Sequence, residues 1–307
     1  MPRLQITRID GTLETISPLL HFGTEKTGST PSQRMMTLWD RNAGETVEIP
    51  FVNANAFRGV LRRIIMADFV ELVDYQVDTP KLHHALYSGG QLESTDDNTS
   101  SIDTTFRRTL LEHIPPLGLL GTSVGNQILP GCLSVQHALP VCEERAWTKT
   151  VRAPRPWDED ARWGDPASTF LDEHFQTRRD DLREERAEDE QAVQMLVTCE
   201  CIIPGTLFEH GYVLRNASPV EAGVLGRGLE LWLQFPTIGG KASGGMGQLA
   251  VQYDHLPDPA PYLAWCEEHA DLAVEALNLI ANPPKAAPKK AKGKAKAEAT
   301  EEEAIVA

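Results

Sequence analysis

At 307 residues, with 41% hydrophobic and 24% charged side chains, the chain is long enough to bury a core, as one large domain or two small ones. That composition excludes a wholly disordered chain, a collagen-like fibre and a cysteine-stapled mini-protein, and no apolar run approaches the ~18 residues of a membrane span. The net charge of −15, from 29 basic and 44 acidic residues, argues at face value against a polyanionic partner; but fields are screened over about 8 Å at physiological salt, so where the charges sit outweighs their sum.

The opening Met1-Pro2-Arg3-Leu4-Gln5 lacks the layout of a signal peptide. Five cysteines, an odd number, predict reduced thiols in a cytoplasmic protein rather than a disulfide framework. Residues 3–20 read as a strand and turn, with Leu4, Ile6 and Ile9 and then Leu13, Ile16, Leu19 and Leu20 supplying the apolar positions. A polar stretch rich in Gly, Thr and Ser reads as a loop over 21–34. Val47-Glu48-Ile49-Pro50-Phe51-Val52 alternates as a short strand, and Asn53 or Asn55 then caps a helix expected to begin near Ala56. Val60, Leu61, Ile64, Ile65, Phe69 and Leu72 give that helix one buried face. Arg58, Arg62 and Arg63 lie off that stripe, with 58 and 62 one turn apart.

Helices are expected over 82–92, closed by Gly89-Gly90, and over 106–113, broken by the Pro-Pro pair after Ile114. The stretch 96–101 reads as a turn-rich loop and 133–141 as a strand. Residues 147–191 differ from their surroundings: between 152 and 191 stand 13 acidic and 7 basic side chains, with Trp157 and Trp163 among them. That stretch reads as an inserted arm. Strands follow at 193–203 and 207–214, and a helix at 222–233. The glycine-rich 238–247 comes next, then a strand at 248–253 and a final helix over about 260–281. Past Asn282 only Ala, Lys, Pro and Glu dominate, which reads as a disordered tail over 283–307. The expected organisation is one α+β core, 1–146 with 192–282, plus the arm at 147–191 and the tail.

Two segments carry chemistry suited to anions. Five glycines within 239–247, with Lys241 and Ser243 among them, let backbone N–H groups approach phosphates closely, although the spacing is neither a P-loop nor a dinucleotide fingerprint. The helix opening at Asn53-Ala54-Asn55-Ala56-Phe57-Arg58 offers free N–H groups, its dipole and two arginines. The bland readings are a tight turn and a solvated helix face. Cys199 with Cys201, and Cys132 with His137 and Cys142, lack zinc-site spacing, so buried structural thiols are expected, with no metal and no cofactor. No nucleophile motif of the Gly-x-Ser-x-Gly kind occurs.

Taken together and in order, five segments resemble the RAMP superfamily. They are Ile16-Ser17-Pro18-Leu19-Leu20-His21-Phe22-Gly23, the proline-ended strand running into 53–63, Leu119-Leu120-Gly121-Thr122, Cys201-Ile202-Ile203-Pro204-Gly205-Thr206-Leu207-Phe208, and the glycine-rich loop at 239–247. Within that superfamily the size and the inserted arm are most similar to the guide-RNA-binding backbone subunit of CRISPR effector complexes, and the wording of 53–56 and of the loop to its type IV, Csf-type form. The resemblance implies a modified RRM (ferredoxin-like) core with an inserted thumb. Copies would stack as a helical filament along the guide, pair it with target nucleic acid and meet other effector subunits, with no membrane role.

The resemblance also implies where RNA would lie. His21, Arg34, Asn53, Asn55, Arg58, Arg62, Gly239, Gly240, Lys241, Ser243, Gly244 and Gly245 are the expected RNA contacts. In the arm, Arg152, Arg155 and Trp157 are expected to meet the guide or a neighbouring subunit. Type III relatives carry a cutting aspartate in the loop after the early His-Gly segment; here 11–39 holds no aspartate, only Glu14 and Glu25. A non-cutting binder is therefore expected. The alternatives are a metal-dependent endoribonuclease using Glu25 and an acidic, protein-only scaffold.

Overall fold

Along the first strand, β1 (Ile6–Thr15), the side chains of Ile9, Leu13 and Thr15 turn inward while Arg8, Asp10, Thr12 and Glu14 face the other way. The computed structural model describes residues 4–27, 30–90, 104–125, 127–159, 161–179 and 194–282. After β1 come β2 (Phe22–Thr27), β3 (Thr30–Gln33), β4 (Met35–Asp40), β5 (Glu45–Pro50) and α1 (Ala54–Leu72). Then follow α2 (Pro80–His83), which runs into a π-helical turn (His84–Ser88), α3 (Thr104–His113), α4 (Pro115–Leu120), β6 (Thr122–Val124), β7 (Gln127–Leu129), β8 (Leu133–Val135) and β9 (Leu139–Pro140). Short 3-10 turns lead to the hairpin of β10 (Leu171–Arg179) and β11 (Gln194–Ile202). The chain closes with β12 (Leu207–Arg215), α5 (Pro219–Trp232), β13 (Leu249–Tyr253) and α6 (Ala260–Ala281).

The main sheet has the order β13–β1–β12–β8, every pair antiparallel, with β9 also on β12. With α1 between β1 and β8 and α5 between β12 and β13, the strand order is the split β-α-β of a ferredoxin-like, RRM-type core. The α+β class expected from sequence is the one observed. Leu13, Phe208, Tyr212 and Leu214 from the sheet share one core with Phe57, Leu61, Ile65 and Phe69 of α1 and Val224, Leu225 and Leu229 of α5. Each such buried side chain contributes roughly 1.5–3 kcal/mol. The close approach of α5 to α1 requires Gly228, where a Cβ would sit 2.5 Å from the Ile65 side chain. No helix among the described residues is long and apolar enough to cross a membrane.

Several expectations change. The stretch read as a loop at 21–34 holds the β2–β3 hairpin, and β4, unread in the sequence, pairs with β5 from Met35↔Pro50 to Asp40↔Glu45. Helix α1 starts at Ala54, two residues early, and its buried face includes Arg62 and Met66 but not Val60 or Leu72. The helix expected over 82–92 ends at Ser88, where Gly89 and Gly90 turn with φ of +83° and +78°. A Cβ on Gly90 would lie 1.8 Å from the Ser123 carbonyl oxygen, so glycine is needed there. The stretch 96–101, the tail at 283–307 and the side chain of Glu25 lie outside the described residues.

Candidate nucleic-acid interface

Segment 16–23 is the spine of the site. Ile16 N donates to Gln248 O at 2.8 Å, Gly247 N to Pro18 O at 2.8 Å and Gly240 N to Leu20 O at 2.8 Å, which fastens the glycine-rich loop. Leu19 and Ile202 exchange backbone bonds of 2.9 and 2.8 Å, which brings in β11 and the Pro204-Gly205 turn. Asn53 N donates to His21 Nε2 at 3.2 Å, which joins the start of α1. Arg58 and Arg62 reach from α1 to the carbonyls of Leu120 and Gly121. All five segments singled out in the sequence are thus hydrogen-bonded into one neighbourhood.

The loop after α5 earns its glycines. Gly239 has φ +91° and a Cβ there would stand 2.4 Å from Leu20 O; Gly247 has φ +77° and would clash with Ile238 O at 2.0 Å. Lys241, although not glycine, is also left-handed at φ +57°, a conformation that persists only when its surroundings impose it. Met246 anchors the loop by packing with Leu20, Cys199 and Cys201, so that Ala242, Ser243, Gly244 and Gly245 form an exposed tip. Lys241 is half-buried, with Nζ 3.8 Å from Cys199 Sγ. Arg34, also half-buried, is held through Nε on Phe22 O at 3.1 Å.

At the start of α1 the picture differs from the expectation of free amides. Asn53 N is taken by His21 Nε2, Ala54 N by His137 Nδ1 at 3.0 Å and Asn55 N by Asn53 Oδ1 at 2.9 Å. Asn53 therefore acts as the cap, and Asn55 is left with an exposed side chain. Both imidazoles accept, so each is unprotonated at the nitrogen concerned. Burial, with Arg34 adding repulsion, pushes the His21 pKa down to about 4, which keeps its ring neutral. Phe51 lies edge-on to both rings, at 6.4 Å from His21 and 5.3 Å from His137. His137 escaped the sequence reading as a member of this site, because nothing local marks a residue 83 positions from its partner.

Arg58 and Arg62 were expected at phosphates and instead serve the fold. Arg62 is 6% exposed and donates to Leu86 O at 3.2 Å, Leu120 O at 3.1 Å and Gly121 O at 2.7 Å. Arg58 donates to Leu133 O at 3.0 Å and to Leu120 O. Together they satisfy carbonyls left open where α4 stops. Burial pushes both guanidinium pKa values down, that of Arg62 to about 10 with Arg58 adding repulsion.

The expected arm, 147–191, contributes to two features, a segment over 143–165 and the strand β10, which pairs with β11 of the expected core. From 143 to 165 the chain folds back over the sheet face opposite the helices, and Glu209 of β12 is its anchor. Glu209 Oε2 meets Arg145 at 2.7 Å; Oε1 meets Arg152 at 2.7 Å, Trp157 Nε1 at 2.9 Å and Arg155 at 3.5 Å. Arg152 also pairs with Asp158 at 2.6 Å, and Arg155 with Asp10 of β1 at 3.4 Å. Three guanidinium groups thus face three carboxylates. Burial pushes the Glu209 pKa up, but Arg145, the Trp157 bond and Arg152 outweigh it and hold the carboxyl below its usual range. Arg152, Arg155 and Trp157, expected to meet RNA or a neighbour, are spent on their own chain. Among the described residues, the β10–β11 hairpin lies outside this ion-pair cluster, and its β11 runs beside β3, with Gln33 N on Glu200 Oε2 at 2.8 Å.

Among the described residues, no group of three His, Cys, Asp or Glu side chains is placed to hold a metal ion. No family model and no curated protein matches this sequence. Among solved structures, a chain of a Type IV-B CRISPR complex superposes on it with a TM-score of 0.55 and 20% identity, over 83% of this chain and 96% of that one. The two chains share a fold. At that identity the likeness reaches the course of the backbone, including nearly the whole length of the CRISPR-complex chain.

Proposed function

We propose that this chain is a non-catalytic subunit of a CRISPR effector complex of the type IV kind, coating guide RNA as one of many stacked copies and presenting it to target nucleic acid. The observation that carries the reading is the fold shared over 96% of a chain from a Type IV-B CRISPR complex. The convergence of the five sequence segments on one neighbourhood supports it further.

The contact set is narrower than sequence suggested. It comprises the exposed tip Ser243, Gly244 and Gly245, the flanking Gly239, Gly240 and Lys241, and Arg34, His21 and Asn55 beside them. A hydroxyl, small residues that admit a close backbone approach and two cations suit phosphate and sugar contacts, which position a strand without reading its sequence. The surplus acids elsewhere do not oppose this, since screening acts within about 8 Å. A protein-only scaffold is the second reading, favoured by the number of arginines tied up internally: Arg58, Arg62, Arg145, Arg152 and Arg155.

The experiment is purification of the full chain from its host, followed by the ratio of absorbance at 260 to 280 nm and a denaturing gel. Short RNA of discrete length, lost or shortened when Lys241→Ala and Arg34→Ala are combined, is the expected result. A nucleic-acid-free chain that stays monomeric when guide RNA is added would favour the scaffold.

A further inference from the structure

The exposed tip of the glycine-rich loop rests on sulfur. Met246, Cys199 and Cys201 pack together beneath it with Leu20, and Gln176 Nε2 lies 3.7 Å from Met246 Sδ. At the head of the loop, Lys241 holds its Nζ 3.8 Å from Cys199 Sγ, which also lies 3.6 Å from the carbonyl of His174 across the β10–β11 ladder. Among the described residues Lys241 has no carboxylate partner; the thiol is what its ammonium meets. A cation beside a thiol favours the thiolate, the form that attacks peroxides. Cys199 is buried, as are Cys142, Cys201 and Cys266; what sets it apart is the ammonium 3.8 Å from its sulfur.

We propose that Cys199 and Lys241 form an oxidant-sensitive pair, a modification site at which a peroxide joins the loop covalently to β11. The thiolate sulfur attacks hydrogen peroxide; the O–O bond breaks, one oxygen stays on sulfur as the sulfenic acid, and the other takes a proton from the Lys241 ammonium and leaves as water, so that Lys241 becomes the free amine. Sulfur is oxidised by two electrons and the peroxide is reduced by two. Lys241, as the free amine, then attacks the sulfenic sulfur; an S–N bond forms, the S–O bond breaks, and the departing hydroxide takes the amine proton and leaves as a second water. The sum is loss of two hydrogens from the protein. Cys201 is the wrong resolving group: two residues along one strand its Cα is about 6.6 Å away, near the upper limit for a disulfide, with its Cβ parallel to that of Cys199. Cys199 is itself buried, so a peroxide reaches its sulfur past the half-buried lysine and the exposed tip beside it. The linked nitrogen carries no charge, so the link removes a cation from the loop; that consequence rests on the RNA-contact reading, whereas the link itself does not.

The test uses the full chain with Cys201→Ser, which removes the neighbouring thiol, treated with hydrogen peroxide and digested without reductant. The expected product joins the peptide of Cys199 to that of Lys241 at two hydrogen masses below their sum, is released by dithiothreitol, and vanishes in Lys241→Arg. Cys199 left reduced, or oxidised only to its sulfinic acid with both peptides separate, overturns the proposal; so does a Cys199–Cys201 disulfide as the product in the unaltered chain. RNA retention is measured in parallel. If the link forms and retention is unchanged, the pair stands and the RNA-contact role of Lys241 falls.

Discussion

The loop at 239–247 and the segment at 143–165 are both irregular and both carry cations, but they face opposite ways. The loop buries Met246 and turns its small residues outward, leaving Ser243 and the glycines beside it exposed. The segment buries its charge: Arg145, Arg152 and Arg155 close on Glu209, Asp158 and Asp10, with Trp157 over the same carboxylate. In an RRM-type core that face of the sheet is a surface on which single strands commonly stack. Here the chain itself covers the part around Glu209. A count of basic residues therefore says little about where a polyanion binds; what decides is which cations already have acceptors.

The largest effect expected from breaking this contrast is at Glu209. Glu209→Ala would leave Arg145 and Arg152 facing each other without their shared carboxylate, and loss of one partner of a buried ion pair costs about 3–5 kcal/mol. Chemical denaturation should show that drop. Arg62→Ala comes next: it strips donors from three buried carbonyls, at about 1–3 kcal/mol for polar groups left unsatisfied. The folded fraction of that variant should retain as much RNA as the unaltered chain, because Arg62 has no exposed donor to give.

Acid tests two histidines, the half-buried His21 at the start of α1 and the buried His210 of β12, whose Nδ1 lies 2.9 Å from Tyr253 Oη. His21 has its pKa pushed down to about 4 and the fully buried His210, by burial above all, to about 3, whereas an unfolded histidine titrates near ~6.5. The unfolded chain therefore takes up protons that the folded chain refuses. This contribution to stability is complete above about pH 6.5 and is lost progressively as pH falls toward 4 and below. Melting temperature should decline over that window, and His21→Gln, which keeps an acceptor near Asn53 N, should flatten the upper part of the slope. Asn53→Ala is a smaller change, about 1 kcal/mol for a lost helix cap. Smallest is Ser243→Ala, within about 0.5 kcal/mol for an exposed site, and its expected effect is on RNA retention instead.

Much of the fold is legible in the sequence where periodicity is strong. The final helix is read over 260–281 and found at Ala260–Ala281, and the strand before the Pro204-Gly205 turn is β11. The β2–β3 hairpin is not legible, since Phe22, Gly23, Pro31, Ser32 and Gln33 show no apolar alternation; the two strands pair with each other and β3 packs beside β11, with Gln33 N on Glu200 Oε2. Arg62 is misread because a pattern of apolar positions excludes arginine, whereas the carbonyls at the end of α4, nearly 60 residues on, reward burying it. The same limit hides the role of 143–165: its arginines suggest an outside partner, but the carboxylate that draws them down, Glu209, belongs to a strand that follows the segment. The loop at 239–247 is legible as a glycine signature, and its attachment to segment 16–23 is tertiary information.

The most direct test of the central contrast is ultraviolet cross-linking of the purified chain to guide RNA added to it, with the linked peptides identified by mass spectrometry. The account predicts cross-links on peptides holding 21–34 and 239–247 and none on 143–165. Cross-links concentrated on 143–165, with the glycine-rich loop untouched, would contradict it.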